Sequence, residues 1–341
     1  MTFAARRAGS HPHRIRAVRR TLAVASAWLV ALATAGVALA GNGGLAPVTP
    51  ESPNADRIND TYYVILGFAG AIFVLVEVAL IVFIVRFRGR GRPREVEGPQ
   101  IIGHSRLELI WTAAPVVILA LIAAFVFYKL PGIKNTPRAN AANRLAIRVE
   151  GHQFYWRFVY PDGTTAIDDL TVPVGRVVTL AITTPDVAHS WWIPALGGKT
   201  DAIPGRTNHT WFMARRAGVF RGQCAELCGI QHAVMLASVH AVPAAEYARW
   251  LAKQHSGQAG LGEQEFAGVC AKCHGLAGQG YIGPKLQGSG TAADAKALRL
   301  TVRNGVGLMP AVGKNWTDRE VNAVVQYVRT KIAGGGASGG G

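Results

Sequence analysis

The sequence predicts a multidomain membrane protein: a two-helix transmembrane hairpin, then an all-β domain and an all-α domain, both outside the cytoplasm. Three observations predict it. The 341 residues are 50% hydrophobic and 16% charged, yet carry a formal net charge of +16. Apolar residues are concentrated at 21–40, 61–85 and 109–128, which together hold one charged residue, Glu77. Beyond residue 140 the pattern turns first to period two and then to helical spacing, and all four cysteines lie there.

The first apolar stretch follows Arg6, Arg7, Arg14, Arg16, Arg19 and Arg20 and ends in Ala38-Leu39-Ala40. That pattern reads as a signal peptide over residues 1–40, with an uncleaved membrane helix as the alternative. Glycine and proline after Ala40 make 41–60 an external linker. Residues 61–85 and 107–130 are each long enough to cross a bilayer and form the hairpin of 61–130. Their connection carries Arg86, Arg88, Arg90, Arg92 and Arg94, so the positive-inside rule puts it in the cytoplasm. Ten of the sixteen net positive charges therefore read as export and orientation signals. A nucleic-acid function needs a basic face on a folded domain and is set aside.

Two acids bear on the membrane. Glu77 lies inside a span, where a carboxylate is expected to face protein or water. Glu108 stands at a helix N-terminus near the cytoplasmic surface, where the helix dipole favours negative charge; a proton route is the functional alternative. Pro115 falls within the third stretch, where neighbouring helices satisfy the carbonyl it frees.

From Arg144 the chain reads as strands. Leu145, Ile147 and Val149 alternate with polar residues, 153–160 is aromatic-rich before the turn Pro161-Asp162-Gly163, and 176–183, 207–213, 219–223 and 234–242 follow. Short strands over 140–253 predict an antiparallel sandwich or small barrel, closed by a helix opening at Pro243. Residues 254–260 read as a linker. Helices are expected at 263–272, 292–303 and 317–332, making a domain over 260–333 too small to bury much apolar area without a covalent or metal staple. The glycine-rich tail, 334–341, is expected to be disordered.

The cysteines supply candidate staples. Cys270-Ala271-Lys272-Cys273-His274 is a C-x-x-C-H run, the attachment pattern of c-type haem, in which the thiols bond the haem and the histidine ligates iron. Met309, before Pro310 in a glycine-rich loop, is the candidate second axial ligand, with core packing the alternative. The other pair lies in Cys224-Ala225-Glu226-Leu227-Cys228-Gly229-Ile230-Gln231-His232-Ala233-Val234-Met235. Thiolates, an imidazole and a thioether suit copper, and His189 supplies a second histidine. A local disulfide and a tetrahedral Cys₂His₂ zinc site are the rivals.

Gly151-His152-Gln153-Phe154-Tyr155-Trp156, Asp186-Val187-Ala188-His189-Ser190, Lys199-Thr200-Asp201-Ala202-Ile203-Pro204-Gly205-Arg206 and the Cys224 to Met235 run resemble subunit II of haem-copper cytochrome c oxidase. With the C-terminal extension the chain is similar to the caa3-type variant, in which a cytochrome c domain is fused to that subunit. The resemblance implies a cupredoxin fold over 140–253 and a class I cytochrome c fold over 260–333. It implies a dinuclear copper A centre bridged by Cys224 and Cys228. His189 and His232 would be its terminal ligands, with Met235 and the Glu226 carbonyl as weak axial ones. The Glu226 carboxylate matches the position that reaches a magnesium ion at the subunit I interface, and Glu108 matches an acid at the mouth of a proton-uptake channel. The first aromatic after His-Gln is commonly Trp in members that take electrons from a soluble cytochrome. Here it is Phe154, so the electron-receiving patch of Phe154, Tyr155 and Trp156 departs from the pattern; docking of the fused haem there, entry at Tyr155 and Trp156, and ordinary packing of an aromatic strand are the alternatives.

The implied function is a relay. An external cytochrome c-like donor reduces haem c held by Cys270, Cys273, His274 and Met309. The electron passes through copper A to subunit I, which reduces oxygen with coupled proton translocation. Implied partners are subunits I and III and membrane lipid. The implied location is a bacterial-type cell membrane, multi-pass, with the redox domains on the outer side. The alternatives are a membrane-anchored electron-transfer adaptor for a different terminal reductase and a copper-delivery protein.

Overall fold

A computed structural model describes residues 47–88, 100, 102–140, 143–256 and 258–334. The expected signal peptide at 1–40, most of the arginine-rich connection and the glycine tail from 335 lie outside the described residues.

The first described helix, α1, runs Pro53–Arg86, with proline in its first turn and Ser52 extended before it. It begins ahead of the apolar run at 61, so the end of the expected external linker is helical. The polar first turn is held by the β domain. Asn54 Nδ2 donates to the Trp211 carbonyl at 2.6 Å, Arg216 pairs with Glu51 at 2.7 Å, and Arg215 pairs with Asp56. Contacts from residues far along the chain set this boundary, and local hydropathy does not report them. Helix α2 runs Ser105–Lys134 and contains Pro115 and Pro131. Both helices are long and apolar enough to cross a membrane. At 1.5 Å per residue, α1 spans about 50 Å against a hydrocarbon core of about 30 Å. The helices meet at their outer ends, where Lys129 pairs with Asp60 at 2.7 Å.

The β domain has ten strands: β1 Arg144–His152, β2 Tyr155–Val159, β3 Thr165–Ile167, β4 Asp169–Pro173, β5 Val177–Thr183, β6 His189–Trp191, β7 Thr200–Ala202, β8 Asn208–Phe212, β9 Gly218–Gln223 and β10 Leu236–Val242. Five form a sheet in the order β3-β2-β1-β5-β8, three form β4-β10-β9, and β6 pairs with β7. The period-two pattern is realised in β1, whose Leu145, Ile147 and Val149 are all buried, and in β5, where Val178, Leu180 and Ile182 face the same core. The expectation of an antiparallel sandwich is corrected by two pairings: β1 with β5 and β4 with β10 run parallel, so both larger sheets are mixed. Alternation reports which face is buried and carries no information about strand direction. The short strands β3, β4, β6 and β7 lack the length that makes alternation visible.

Helix α3 spans Ala244–Ser256 and α4 spans Gln258–Glu265. The expected linker at 254–260 is therefore helical on both sides of Gly257, which lies outside the described residues. A π-helical turn, Phe266–Cys270, leads into α5, Ala271–His274. Then come α6, Gly290–Ala293, and α7, Ala295–Asn304, capped by Asp294. Helix α8, Asp318–Tyr327, starts with a reciprocal Thr317–Glu320 capping box and ends in a second π-helical turn, Val328–Ala333.

From Pro50 onward the chain forms one compact unit with two cores. The second core includes Tyr155 and Ile167 from the β domain beside Phe266, Val269, Trp316 and Val321. The two redox-type domains therefore share a buried interface.

Candidate metal centre

The loop between β9 and β10 is pinned at both ends. Cys224 N donates to the Met235 carbonyl at 2.9 Å, closing the loop, and Ala225 N donates to the Ser190 carbonyl at 2.9 Å, tying it to β6. A short 3₁₀ turn, His232–Val234, returns the chain to β10. The loop folds its donors into two sets around two sulfurs. Cys224 Sγ lies 3.9 Å from His189 Nδ1 and 3.2 Å from the Glu226 carbonyl. Cys228 Sγ lies 3.7 Å from His232 Nδ1 and 3.8 Å from Met235 Sδ. The sulfurs stand 3.9 Å apart, and all four cysteines are free.

Two residues to which the sequence assigned no role hold this arrangement. Asp186 Oδ1 accepts from His189 Nε2 at 2.9 Å, which directs Nδ1 at the sulfurs. Gln153 joins both sides: its backbone N donates to Asp186 Oδ2 at 2.8 Å and its Nε2 to the Cys228 carbonyl at 2.7 Å. Burial opposes ionisation of Asp186, but bonds from His189, Gln153, Val187 and Thr184 outweigh it and bring the carboxyl down to about 2. Their short-range spacing, Asp three residues before His, was the available signal. Gly151 presses on the same ring, since a Cβ there would come 2.9 Å from His189 Cδ2.

The thiols are unlike. Burial raises Cys224, but hydrogen bonds with His189 and the backbone of Ser190 and Glu226, together with the His189 charge, outweigh it and bring the thiol down to about 7. Cys228 is pushed up to about 12 by burial and then by the charge of Cys224. A metal about 2.3 Å from each thiolate requires sulfurs within about 4.6 Å of each other, and this pair meets that limit. His189, Cys224 and Cys228 converge within 4.8 Å of one another, with His232 outside that group beside Cys228. The donor set fits a pair of copper ions better than one tetrahedral zinc, which needs both imidazoles at a single point.

The second cluster lines a cavity of roughly 720 Å³ in the helical domain. Cys270, Cys273, His274 and Met309 border it, and Leu286, Leu298, Val302, Val324 and Val328 supply apolar walls. His274 Nδ1 donates to the Pro284 carbonyl at 2.7 Å, so Nε2 is free to bind a metal. Gly283 permits this approach, because a Cβ would lie 2.9 Å from Nδ1. A tight Val306–Met309 bridge presents the methionine. Two unbonded thiols, an oriented imidazole, a thioether and an apolar cavity fit a covalently held haem.

The family models match in chain order. The description "Cytochrome C oxidase subunit II, transmembrane domain" covers residues 44–128, "Cytochrome C oxidase subunit II, periplasmic domain" covers 165–242, and "Cytochrome C oxidase, cbb3-type, subunit III" covers 257–328. Cytochrome c oxidase subunit 2 of Alkalihalophilus pseudofirmus is 36% identical over 256 residues, covering 70% of this chain and 73% of that protein. The chain belongs to the cytochrome c oxidase subunit 2 family. The same subunit of Cereibacter sphaeroides is 32% identical over 63% of this chain and 82% of its own length. The periplasmic domain of subunit II of cytochrome oxidase from Bradyrhizobium japonicum is 36% identical, covering 36% of this chain and 97% of that domain with a TM-score of 0.33. This subunit II carries a fused C-terminal cytochrome c domain, and it is an electron-transfer subunit, membrane-anchored, with its β domain on the outer side.

The remaining sequence-predicted residues of this subunit II are not brought together. Glu108 sits in the first turn of α2, where its Oε1 accepts from His104 N at 3.0 Å and helps cap the helix. The Glu226 side chain is exposed. The three aromatics of the patch lie in different surroundings. Tyr155 and Trp156 are fully buried and cannot touch a soluble donor. Trp156 packs edge-on against Trp191 and His189, Tyr155 accepts from Trp316 Nε1 at 2.6 Å, and Phe154 lines the haem-type cavity. Strand alternation sends neighbouring rings to opposite faces, and both faces here are covered, one by the copper-type core and one by the cytochrome c domain.

Proposed function

We propose that this subunit II relays electrons from an external cytochrome c-like donor through a covalent haem c and a dinuclear copper A centre to the oxygen-reducing subunit I, with coupled proton translocation. The observation that carries the reading is the pairing of two three-donor sets around sulfurs 3.9 Å apart. Cys224, Cys228, His189 and His232 would hold the copper pair, with Met235 and the Glu226 carbonyl as weaker donors, and the pair would supply one-electron transfer with little reorganisation. Cys270 and Cys273 would hold the haem covalently, with His274 and Met309 as the ligands to its iron.

The chain's own residues orient and insulate these groups. Asp186 and Gly151 fix the His189 ring, the Pro284 carbonyl fixes His274, and the apolar walls of the cavity exclude water. The arginine-rich connection supports a two-pass topology with that connection in the cytoplasm. Glu108 would then lie at the cytoplasmic side, suited to hand protons to subunit I, and Glu226 would add one ligand to a magnesium ion shared with it. Subunit III completes the set of partners implied by the family.

Metal analysis and spectroscopy of the purified membrane complex test the reading. Two coppers and one covalent haem per chain, with a mixed-valence paramagnetic signal, are expected. Zinc, or one copper with a mononuclear signal, overturns the copper assignment.

A further inference from the structure

The haem-attachment turn and the copper loop touch through two short links. Gln231 directly precedes the copper-ligand candidate His232, and its Nε2 reaches Cys273 Sγ at 2.8 Å. Lys272, between the two attachment cysteines, sends Nζ into the β domain, where it donates to the Phe154 carbonyl at 2.8 Å and pairs with Asp168 at 2.6 Å. Phe154 lines the haem-type cavity, and its neighbour Gln153 holds the carbonyl of Cys228. One link therefore ends at His232 and the other at Cys228, one on each half of the copper-type site. Two other polar contacts between the domains, Arg157 with Glu320 and Tyr155 with Trp316, involve none of the proposed ligands.

We propose that Gln231 and Lys272 are positioning residues that register the haem-attachment turn on the copper loop and so set the rate of electron transfer between the two centres within one chain. This rests on the cofactor reading above. The step moves one electron and no proton: haem iron is oxidised, the copper pair is reduced, and the external donor supplies the electron. A bond that anchors a rigid turn matters here because the rate of electron transfer depends on the separation and orientation of the two centres.

The test uses the full-length chain in its purified complex, comparing wild type with Gln231→Leu, Gln231→Asn, Lys272→Met and Lys272→Arg. The readouts are metal and haem content, visible spectra, photo-triggered haem-to-copper electron transfer, the KM for the external donor, and amide hydrogen exchange at 150–160 and 266–276. With spectra and content intact, the intramolecular rate is expected to fall severalfold in Gln231→Leu and Lys272→Met, each of which removes one registering bond. Gln231→Asn, whose amide is one methylene short of Cys273, should also fall, and Lys272→Arg should recover much of the rate. Donor KM should stay unchanged, and Lys272→Met should exchange faster in both segments. An unchanged rate in Gln231→Leu and Lys272→Met overturns the proposal, as does a rise in donor KM that accounts for the loss. Wild type lacking copper or haem would overturn the cofactor reading instead, so the two failures are distinguishable.

Discussion

Glu265 provides a quantitative test of the domain interface. Its side chain is fully buried, and both carboxyl oxygens lack a hydrogen-bond partner among the described residues. Burial, reinforced by Glu320 and opposed by Arg157, pushes the carboxyl up to about 8. Arg157 faces Glu150 at 3.5 Å and pairs with Glu320, so its one charge is shared among carboxyl groups and does not offset the burial of Glu265. Glu265 therefore keeps its proton in the folded protein at neutral pH and loses it near 4.5 when unfolded. Between those values the folded state binds the extra proton, so stability falls as pH rises, by up to about 1.4 kcal/mol per pH unit. At pH 7 the cost relative to pH 4.5 is at most about 3 kcal/mol. Glu265→Gln removes the titration while nearly preserving shape. Any cost of burying the amide is independent of pH, so the proton effect is read from the difference between variants. Thermal midpoints of the full-length chain in detergent, measured from pH 5 to 8, should show Glu265→Gln gaining on wild type as pH rises. Parallel curves would refute the account of Glu265 as a proton-bearing buried acid.

Three further outcomes are expected. Asp186→Asn should weaken copper binding about 10- to 100-fold by releasing the His189 ring, read by competition with a chelator; unchanged affinity would remove Asp186 from that role. Met309→Ala should convert the haem to a high-spin or ligand-exchanged form, and an unaltered visible spectrum would exclude Met309 as the axial ligand. Glu108→Gln should slow steady-state turnover of the assembled oxidase without slowing copper reduction. Full turnover would leave Glu108 as a helix cap only, the role its bond to His104 N already gives it.

Legibility in the sequence followed the range of the interactions. The Cys224 to Met235 run and the Cys270 to His274 run are local, so spacing announced most of each cluster, while His189 and Met309 each stand 35 residues from the nearer run. The hairpin was equally plain, because hydropathy averages over whole spans. Three features depended on distant partners and were hidden. The early start of α1 is fixed by Trp211 and Arg215, the parallel pairing of β1 with β5 is set by topology, and helix α4, from Gln258, is held by packing on α8. The supporting residues fall between these cases. Asp186 lay in a motif but showed no role until His189 was seen 2.9 Å away, and Lys272 looked like filler between cysteines until its ammonium was found beside Asp168.

Phe154 ties the architecture to the proposed relay. A subunit that takes electrons from a diffusing cytochrome must leave its receiving aromatic open to solvent. Here the cytochrome c domain occupies that face: Phe154 borders its cavity, Lys272 grips the Phe154 carbonyl, and Tyr155 enters its core. A free donor and the fused domain cannot occupy the same surface. On the proposed function, the external donor must therefore reduce the haem from another side, and the exposed Leu276, Tyr281, Ile282 and Leu308 offer apolar surface there. Fusion exchanges a bimolecular encounter for a fixed contact, which removes dependence on donor docking from the second transfer while leaving it in the first. Ionic strength should accordingly act on reduction of the haem by its donor and leave the haem-to-copper step nearly untouched, because the Lys272–Asp168 pair is largely shielded from solvent.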